Sequence, residues 1–260
     1  MIIFKIHIMK IKNIIIFLAI FLTFNIFNQK VLATSINPSN LGIVANDIVQ
    51  KIVIDGNQAY ISGNFTKIGP SIGQMGMFNL SDYSLVRQPK PNGAINMVIS
   101  DGSDGWYIAG SFTKIGDHPT KRVAHINNDG SVDTNFTANV NNTVSDLILS
   151  NNKLFIGGSF TSIDGVADNR IYIGALSPTT GALDAWYPGS QQNPVIKLAA
   201  YDNNIYWYVS NLYYIYRANN TNGTKDNSWS ITLNNSVSDW HFQNDYLYIA
   251  GGNFTTLNGN

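Results

Sequence analysis

Tyr107-Ile108-Ala109-Gly110-Ser111-Phe112-Thr113-Lys114-Ile115-Gly116 is not met once in this chain but four times. It appears first as Tyr60-Ile61-Ser62-Gly63-Asn64-Phe65-Thr66-Lys67-Ile68-Gly69 and again as Phe155-Ile156-Gly157-Gly158-Ser159-Phe160-Thr161-Ser162-Ile163. The last copy is Tyr248-Ile249-Ala250-Gly251-Gly252-Asn253-Phe254-Thr255-Thr256-Leu257. Aligned on Gly63, Gly110, Gly158 and Gly252, the copies recur about every 47 residues, with a double gap before the last. A degenerate copy therefore belongs near residue 205, where Asn204-Ile205-Tyr206-Trp207-Tyr208-Val209-Ser210 stands. A period of this length in short apolar runs is the mark of a repeated β unit.

Two further landmarks keep the same beat. Asp129-Gly130-Ser131-Val132-Asp133 precedes Phe136, Thr180-Gly181-Ala182-Leu183-Asp184 precedes Trp186, and Asn222-Gly223-Thr224-Lys225-Asp226 precedes Trp229. Val144-Ser145-Asp146-Leu147 and Val237-Ser238-Asp239-Trp240 open units, with Val195-Ile196-Lys197-Leu198 as a weaker copy. Each unit thus reads as a Val-x-x-Leu strand, an Asn/Asp turn, an apolar strand ending in Gly, a Phe-Thr link, a third strand and an Asp-Gly return. Turn signals every 8–12 residues mean all-β structure. Four strands at this period predict a β-propeller of four-stranded antiparallel blades. The glycines are expected where a strand next to the propeller axis is crowded, and the aromatic two or three residues after Asp is expected to fill space between blades.

Composition agrees. All sixteen acidic residues are Asp and Glu is absent, which disfavours helix and favours turns. The apolar fraction of 44% suffices for a core, while charged residues make only 12%. Cysteine is absent, which excludes disulfides, thiolate metal sites and a cysteine nucleophile. Lys10 and Lys12 precede the apolar run Ile14–Phe24, and Val31-Leu32-Ala33 offers small-residue cleavage, so residues 1–33 read as a signal peptide. The protein is expected to be secreted or held at the cell surface, touching a membrane only through this segment if it stays uncleaved. A short linker, 34–44, would lead to the repeats at 45–260. Beyond residue 33 the chain is mildly acidic with no basic cluster, which gives no electrostatic case for nucleic acid.

Arg122-Val123-Ala124-His125-Ile126-Asn127-Asn128-Asp129-Gly130-Ser131-Val132-Asp133-Thr134-Asn135-Phe136 resembles the delta-60 repeat of bacterial secreted and surface proteins. The resemblance spans about residues 45–260 and implies a β-propeller, with no chemistry common to the family. Ser81-Asp82-Tyr83-Ser84 departs from it by replacing the Asp-Gly turn, and the fourth unit by lacking Gly-x-Phe-Thr. Counting landmarks gives about four and a half blades, hence an incomplete propeller expected to continue beyond Asn260.

Functional signals are sparse. Asn127, Asp129 and Asp133 surround a glycine as in part of a calcium loop, although an Asx turn accounts for both acids without a metal. The fourth unit is rich in rings. Tyr208, Tyr213, Tyr214 and Tyr216 offer a surface for an extracellular glycan or protein, or else pack between blades. Ser100-Asp101-Gly102-Ser103-Asp104-Gly105-Trp106 resembles the sialidase turn only loosely and reads as a long hairpin turn. His118, His125 and His241 have no partner at ligand spacing, so surface or core packing is their default reading. The expected function is a binding, adhesion or structural scaffold. One alternative is a secreted carbohydrate-active enzyme whose acids would lie in missing blades or among Asp104, Asp117 and Asp168. The other is a spacer for a domain outside this chain.

Overall fold

In a computed structural model the chain divides into two compact units, Met1–Ile72 and Gly73–Asn260. The structure describes residues 89–258, apart from 104, 166–169 and 252–253, and the backbone of the strands that precede Gln88. The apolar run of the expected signal peptide, its cleavage site, the linker up to residue 42, and Ser81–Ser84 lie outside the described residues.

The first unit holds β1 (Ile3–His7), β2 (Ile43–Ala45), β3 (Val49–Asp55), β4 (Gln58–Gly63) and β5 (Ile68–Pro70). Its larger sheet runs β1-β4-β3, and β2 pairs with β5. All pairings are antiparallel.

The second unit begins with two short hairpin-like pieces, β6 (Met77–Phe78) and β7 (Leu85–Arg87). Blades follow. Blade A is β8 (Ile95–Ser100), β9 (Trp106–Gly110) and β12 (Val123–Ile126), with the small β10 (Lys114–Ile115) and β11 (His118–Pro119) between them. Blade B is β13 (Val144–Ser150), β14 (Lys153–Gly158) and β15 (Ile173–Leu176). Blade C is β16 (Val195–Tyr201), β17 (Asn204–Val209), β18 (Tyr214–Asn219) and β19 (Lys225–Thr232). Blade D is described through β20 (Asp239–Gln243) and β21 (Tyr246–Ala250).

Within each blade consecutive strands pair antiparallel. Among the described residues only blade C shows a full fourth strand. In blades A and B that strand shrinks to single bridges, Ile126↔Val132 and Leu176↔Leu183. The first strands β8, β13 and β16 neighbour one another across blades, and β20 lies next to β16. They therefore form the inner wall, and β8, β13 and β16 are each bulged at the same place, between Ile95 and Met97, Val144 and Asp146, and Val195 and Lys197.

The hairpin turns explain the Asn/Asp-rich sequence. Blades B, C and D use two-residue turns, Asn151-Asn152, Asp202-Asn203 and Asn244-Asp245. All six residues have positive φ. That is the geometry whose twist suits a hairpin, and Asn and Asp tolerate it best after Gly. Blade A differs: Ser100 pairs with Trp106 across a five-residue loop, 101–105.

The repeat glycines sit at one structural level but not where the sequence suggested. They end second strands rather than inner ones. A Cβ on Gly110 would lie 2.0 Å from the Ala94 carbonyl oxygen, and one on Gly158 2.2 Å from that of Thr143. What they clear is the backbone entering the first strand of the same blade. In blade D the register brings Gly251 to this level, and Gly252 lies outside the described residues.

The Phe-Thr link has a partner that the repeat alone did not reveal. Asn92 Oδ1 accepts the backbone N–H groups of Thr113 and Lys114, and its Nδ2 donates to Thr113 Oγ1. Asn141 does the same to Thr161 and Ser162, and Asn234 to Thr255 and Thr256. Each Asn thereby ties the loop after the second strand to the entry of the first. Phe112 and Phe160, beside these threonines, are fully buried.

Apolar residues on both strand faces fill the gaps between blades. Phe136 joins Val144, Leu147 and Leu154 in the core between A and B. Trp186 joins Phe155, Trp207 and Val209 between B and C. Fully burying one such side chain stabilises by about 1.5–3 kcal/mol. Polar staples cross the same gaps: Asn96 Nδ2 donates to Val144 O, Leu198 N–H donates to Asp146 Oδ2, and Val237 N–H donates to the Tyr208 hydroxyl.

Candidate functional site

Blades A and B part at one end into a cleft of about 520 Å3. Its blade A wall carries Asp101, Ser103, Tyr107, His125 and Asp133. The blade B wall is the β13–β14 turn with Ser150, Asn151 and Asn152, together with Pro178 and Thr179. Tyr107 spans the floor, its hydroxyl donating to the Pro178 carbonyl at 2.8 Å.

The blade A wall is organised around His125. On β12 it faces Tyr107 of β9, and the two rings lie 4.8 Å apart. Its Nδ1 is 3.0 Å from Asp133 Oδ2, and its Nε2 is 3.0 Å from Asp101 Oδ2. One imidazole thus joins two turns. Asp133 belongs to the return after β12, where its own N–H donates to the His125 carbonyl. Asp101 opens the long loop of blade A, and its Oδ1 accepts from Ser103 N, Ser103 Oγ and Gly105 N.

Burial by itself would raise both carboxyls. The hydrogen bonds from Ser103, His125 and Gly105 outweigh it at Asp101, and those from His125 and Asn135 at Asp133, so both are held below the usual carboxylate range. Gly105 is part of the arrangement. A Cβ there would lie 2.6 Å from Asp101 Oδ2 and 3.0 Å from His125 Nε2.

The same level of the other blades shows what is shared and what is not. In blade C Arg217 faces Tyr206 as His125 faces Tyr107, and its Nη2 is 2.7 Å from Asp226 Oδ2. The Ser228 side chain and Arg217 hold Asp226 down to about 2. In blade B Lys153 Nζ is 2.6 Å from Asp184 Oδ2. A cation on the Asp of the return turn is therefore a repeated strut. Among the described struts, blade A alone builds it from histidine, and only His125 meets a second carboxylate.

The candidate residues read from the sequence are dispersed. Tyr208 is fully buried, and strand alternation separates Tyr216, which packs in the B–C core, from Tyr208 and Tyr213 in the C–D core. Tyr214 stacks on Tyr216 at 5.6 Å. The four do not share one surface. Asn127, Asp129 and Asp133 do not converge either. Asn127 Nδ2 donates to Ser131 Oγ, Asp129 Oδ1 accepts from Ser131 N, and Asp133 turns to Asn135 and His125. Among the described residues no group of three His, Cys, Asp or Glu side chains gathers as a metal site. Of the acids considered for an enzyme, Asp117 is exposed beside Lys114, while Asp104 and Asp168 lie outside the described residues.

Sequence reading passed over His125 and Asp101. The histidine had one signal: Arg217 and His125 stand nine and eight residues before the Asp of their return turns. Asp101 had none, because its loop has no counterpart in the other blades.

Residues 102–136 and 149–172 match a family described as "Domain of unknown function (DUF5122) beta-propeller". The matched stretches fall on blades A and B, so the repeated sheets are blades of a β-propeller. No curated protein matches the chain. Among solved structures the chain is similar to the computationally designed Ika8 protein, at 12% identity and a TM-score of 0.51 over 77% of this chain. The chain spans about half, 54%, of the Ika8 protein. The computationally designed Ika4 protein matches over 64% of this chain and 91% of its own, at 13% identity and a TM-score of 0.43.

Proposed function

We propose that this chain is an exported β-propeller scaffold that binds an extracellular glycan in the cleft between blades A and B and does not transform it. The observation that carries this reading is the cleft itself: about 520 Å3, with hydroxyls of Ser103 and Ser150, amides of Asn151 and Asn152, and carboxylates of Asp101 and Asp133 along its walls. Closely spaced donors and acceptors on a rigid frame suit a polyhydroxylated ligand. Catalysis would ask for a base with a free lone pair within reach of the ligand. Here both nitrogens of His125 face carboxylates, and each carboxylate is tied to backbone N–H groups of its own turn. Export is supported by Lys10 and Lys12 ahead of the apolar run Ile14–Phe24 and by the likeness to delta-60 repeats of surface proteins.

A glycan array with the full chain tests the reading. Thr179 is exposed on the rim of the cleft, so Thr179→Trp fills the entrance. Binding of at least one glycan by the native protein, reduced at least about tenfold by Thr179→Trp with unchanged circular dichroism, is the expected result. Glycan binding that survives this substitution would place the ligand elsewhere.

A further inference from the structure

We propose that Asn152 is the side chain that selects the ligand of the A–B cleft, and that this ligand is a neutral sugar presenting two adjacent hydroxyl groups. The inference deepens the glycan-binding reading above and rests on it.

The two walls of the cleft differ in the hydrogen-bonding capacity they leave open. On blade A the polar groups are engaged within the protein. Ser103 Oγ donates to Asp101 Oδ1, the Tyr107 hydroxyl donates to the Pro178 carbonyl, and both ring nitrogens of His125 face carboxylates. On the facing wall the side chains of Ser150, Asn152 and Thr179 have no hydrogen-bond partner among the described residues. Recognition of a ligand therefore falls to this wall.

Within it Asn152 has a property that the two hydroxyls lack. A hydroxyl rotates to donate or accept as needed, whereas a carboxamide accepts at one atom and donates from the other. Asn152 can accept from one sugar hydroxyl and donate to its neighbour. A sugar that lacks either hydroxyl leaves half of the amide unpaired, and a site built to bond a hydroxyl rejects the analogue without it.

The turn holds this amide in place. Asn152 is the second residue of the β13–β14 turn, with φ 53, and the Ser150↔Lys153 pair closes the hairpin beneath it. Its neighbour Asn151 is directed away from the cleft's ligand face: its Nδ2 donates to Thr221 Oγ1 at 3.2 Å and to Asn220 Oδ1 at 3.5 Å, which ties the turn to blade C. An amide held on such a frame loses little freedom on binding. Asn203 takes the same turn position in blade C, with φ 57, and does not line this cleft.

Charge narrows the ligand further. Asp101 and Asp133 stand on the opposite wall, and no described Lys or Arg lines the cleft. Burial would raise both carboxyls, but their hydrogen bonds hold them below the usual range, so both are anionic at neutral pH. Like charges brought together weaken binding. A uronic acid is thus disfavoured where a neutral sugar is admitted.

The test uses the full chain and 1,4-linked tetramers of glucose, mannose and galactose, whose adjacent hydroxyls are those on C2 and C3. Each is titrated calorimetrically at neutral pH beside the tetramer of its uronic acid. We expect at least one neutral tetramer to bind, and its acid counterpart to bind at least about tenfold more weakly. Asn152→Gly keeps the turn, since Gly adopts positive φ freely, and removes the amide. It should weaken the neutral tetramer at least about tenfold, with unchanged circular dichroism. Asn203→Gly, the same change in a turn outside the cleft, should alter binding by less than about twofold. Replacing the C2 or the C3 hydroxyl by hydrogen should cost the native protein at least about fivefold and Asn152→Gly less than about twofold. An acid tetramer that binds as tightly as the neutral one, or full binding by Asn152→Gly, overturns the inference. If Thr179→Trp abolishes binding while Asn152→Gly keeps it, the cleft binds glycan and the selection by Asn152 alone falls. If the native protein binds no tetramer, the inference falls, and the proposed function is decided by the glycan array.

Discussion

Blades A and C occupy equivalent places in one repeat and are held together by different means. Blade A ends its second strand in Gly110, buries Phe112, and ties Thr113 to Asn92. Blade C has Val209 at the glycine level, Asn211 and Leu212 in place of Phe-Thr, and keeps only the bonds from Ser210 to the Pro194 carbonyl. Its cohesion comes from rings: Trp207 and Tyr208 are fully buried on opposite faces of one strand, and Trp207 Nε1 donates to Gln191. The struts differ in the same spirit. Arg217 carries a permanent charge and lies 4.9 Å from the Trp229 ring, while His125 stands between two carboxylates. The lesson is that the repeat conserves a set of positions to be tied, not the chemistry of the tie. Where a hydrogen-bonded clamp is lost, aromatic packing replaces it.

The sharpest way to break this comparison is to remove the ring on which blade C depends. Trp207→Ala should cost about 3–5 kcal/mol in denaturant unfolding, through the cavity left between B and C. The smaller Ile108→Ala in blade A should cost less than Trp207→Ala, within about 2–5 kcal/mol. Equal losses would mean that blade C does not lean on its rings.

The junctions between blades allow a second test. The A–B staple from Asn96 is uncharged, whereas the B–C staple uses the buried carboxylate of Asp146. Burial pushes the Asp146 carboxyl up to about 6, against the opposing bonds from Leu198 and Leu147 N–H. The folded protein then binds this proton more tightly than the unfolded chain. The stability it contributes is full below about pH 4 and is lost as pH rises through about 6, by up to about 3 kcal/mol. Asp146→Asn should flatten that part of the stability profile and leave the protein no less stable at pH 8. Asn96→Ala should leave the slope in place.

The smallest effect concerns the clamp. Asn92→Ala should cost about 1 kcal/mol, since its bonds are exposed and water replaces part of them. Asn141→Ala should match it in blade B. A loss at Asn92 without one at Asn141 would show that the clamp is not a shared device.

How much of this was legible follows from which interactions repeat. Strand order, blade boundaries and the interblade role of Phe136 and Trp186 recur with the 47-residue beat, so a single sequence compared with itself exposes them. The alternation of Ile205, Trp207 and Val209 against Tyr206 and Tyr208 was readable as a doubly buried strand, and both faces are buried. The Asn clamp was harder. Its members stand 20 or 21 residues apart, in landmarks that an Asn-rich chain conceals. The tyrosine patch and the calcium loop drew on local spacing alone. Strand alternation sends Tyr208 and Tyr216 to opposite faces, the turn engages Oδ1 of Asp129 and of Asp133 with its own backbone N–H groups, and Asp133 Oδ2 meets His125.

The sequence by itself determined an all-β chain of repeated blades, because hydrophobic alternation and turn chemistry act over a few residues and are written in order along the chain. Only the tertiary structure decided the site. Asp101 and His125 are 24 residues apart, and Thr179 reaches the same cleft from another blade. Nothing in their spacing forces them together. They meet because strand pairing sets β9 against β12, an unrepeated loop carries Asp101 over to His125, and interblade packing fixes the facing wall.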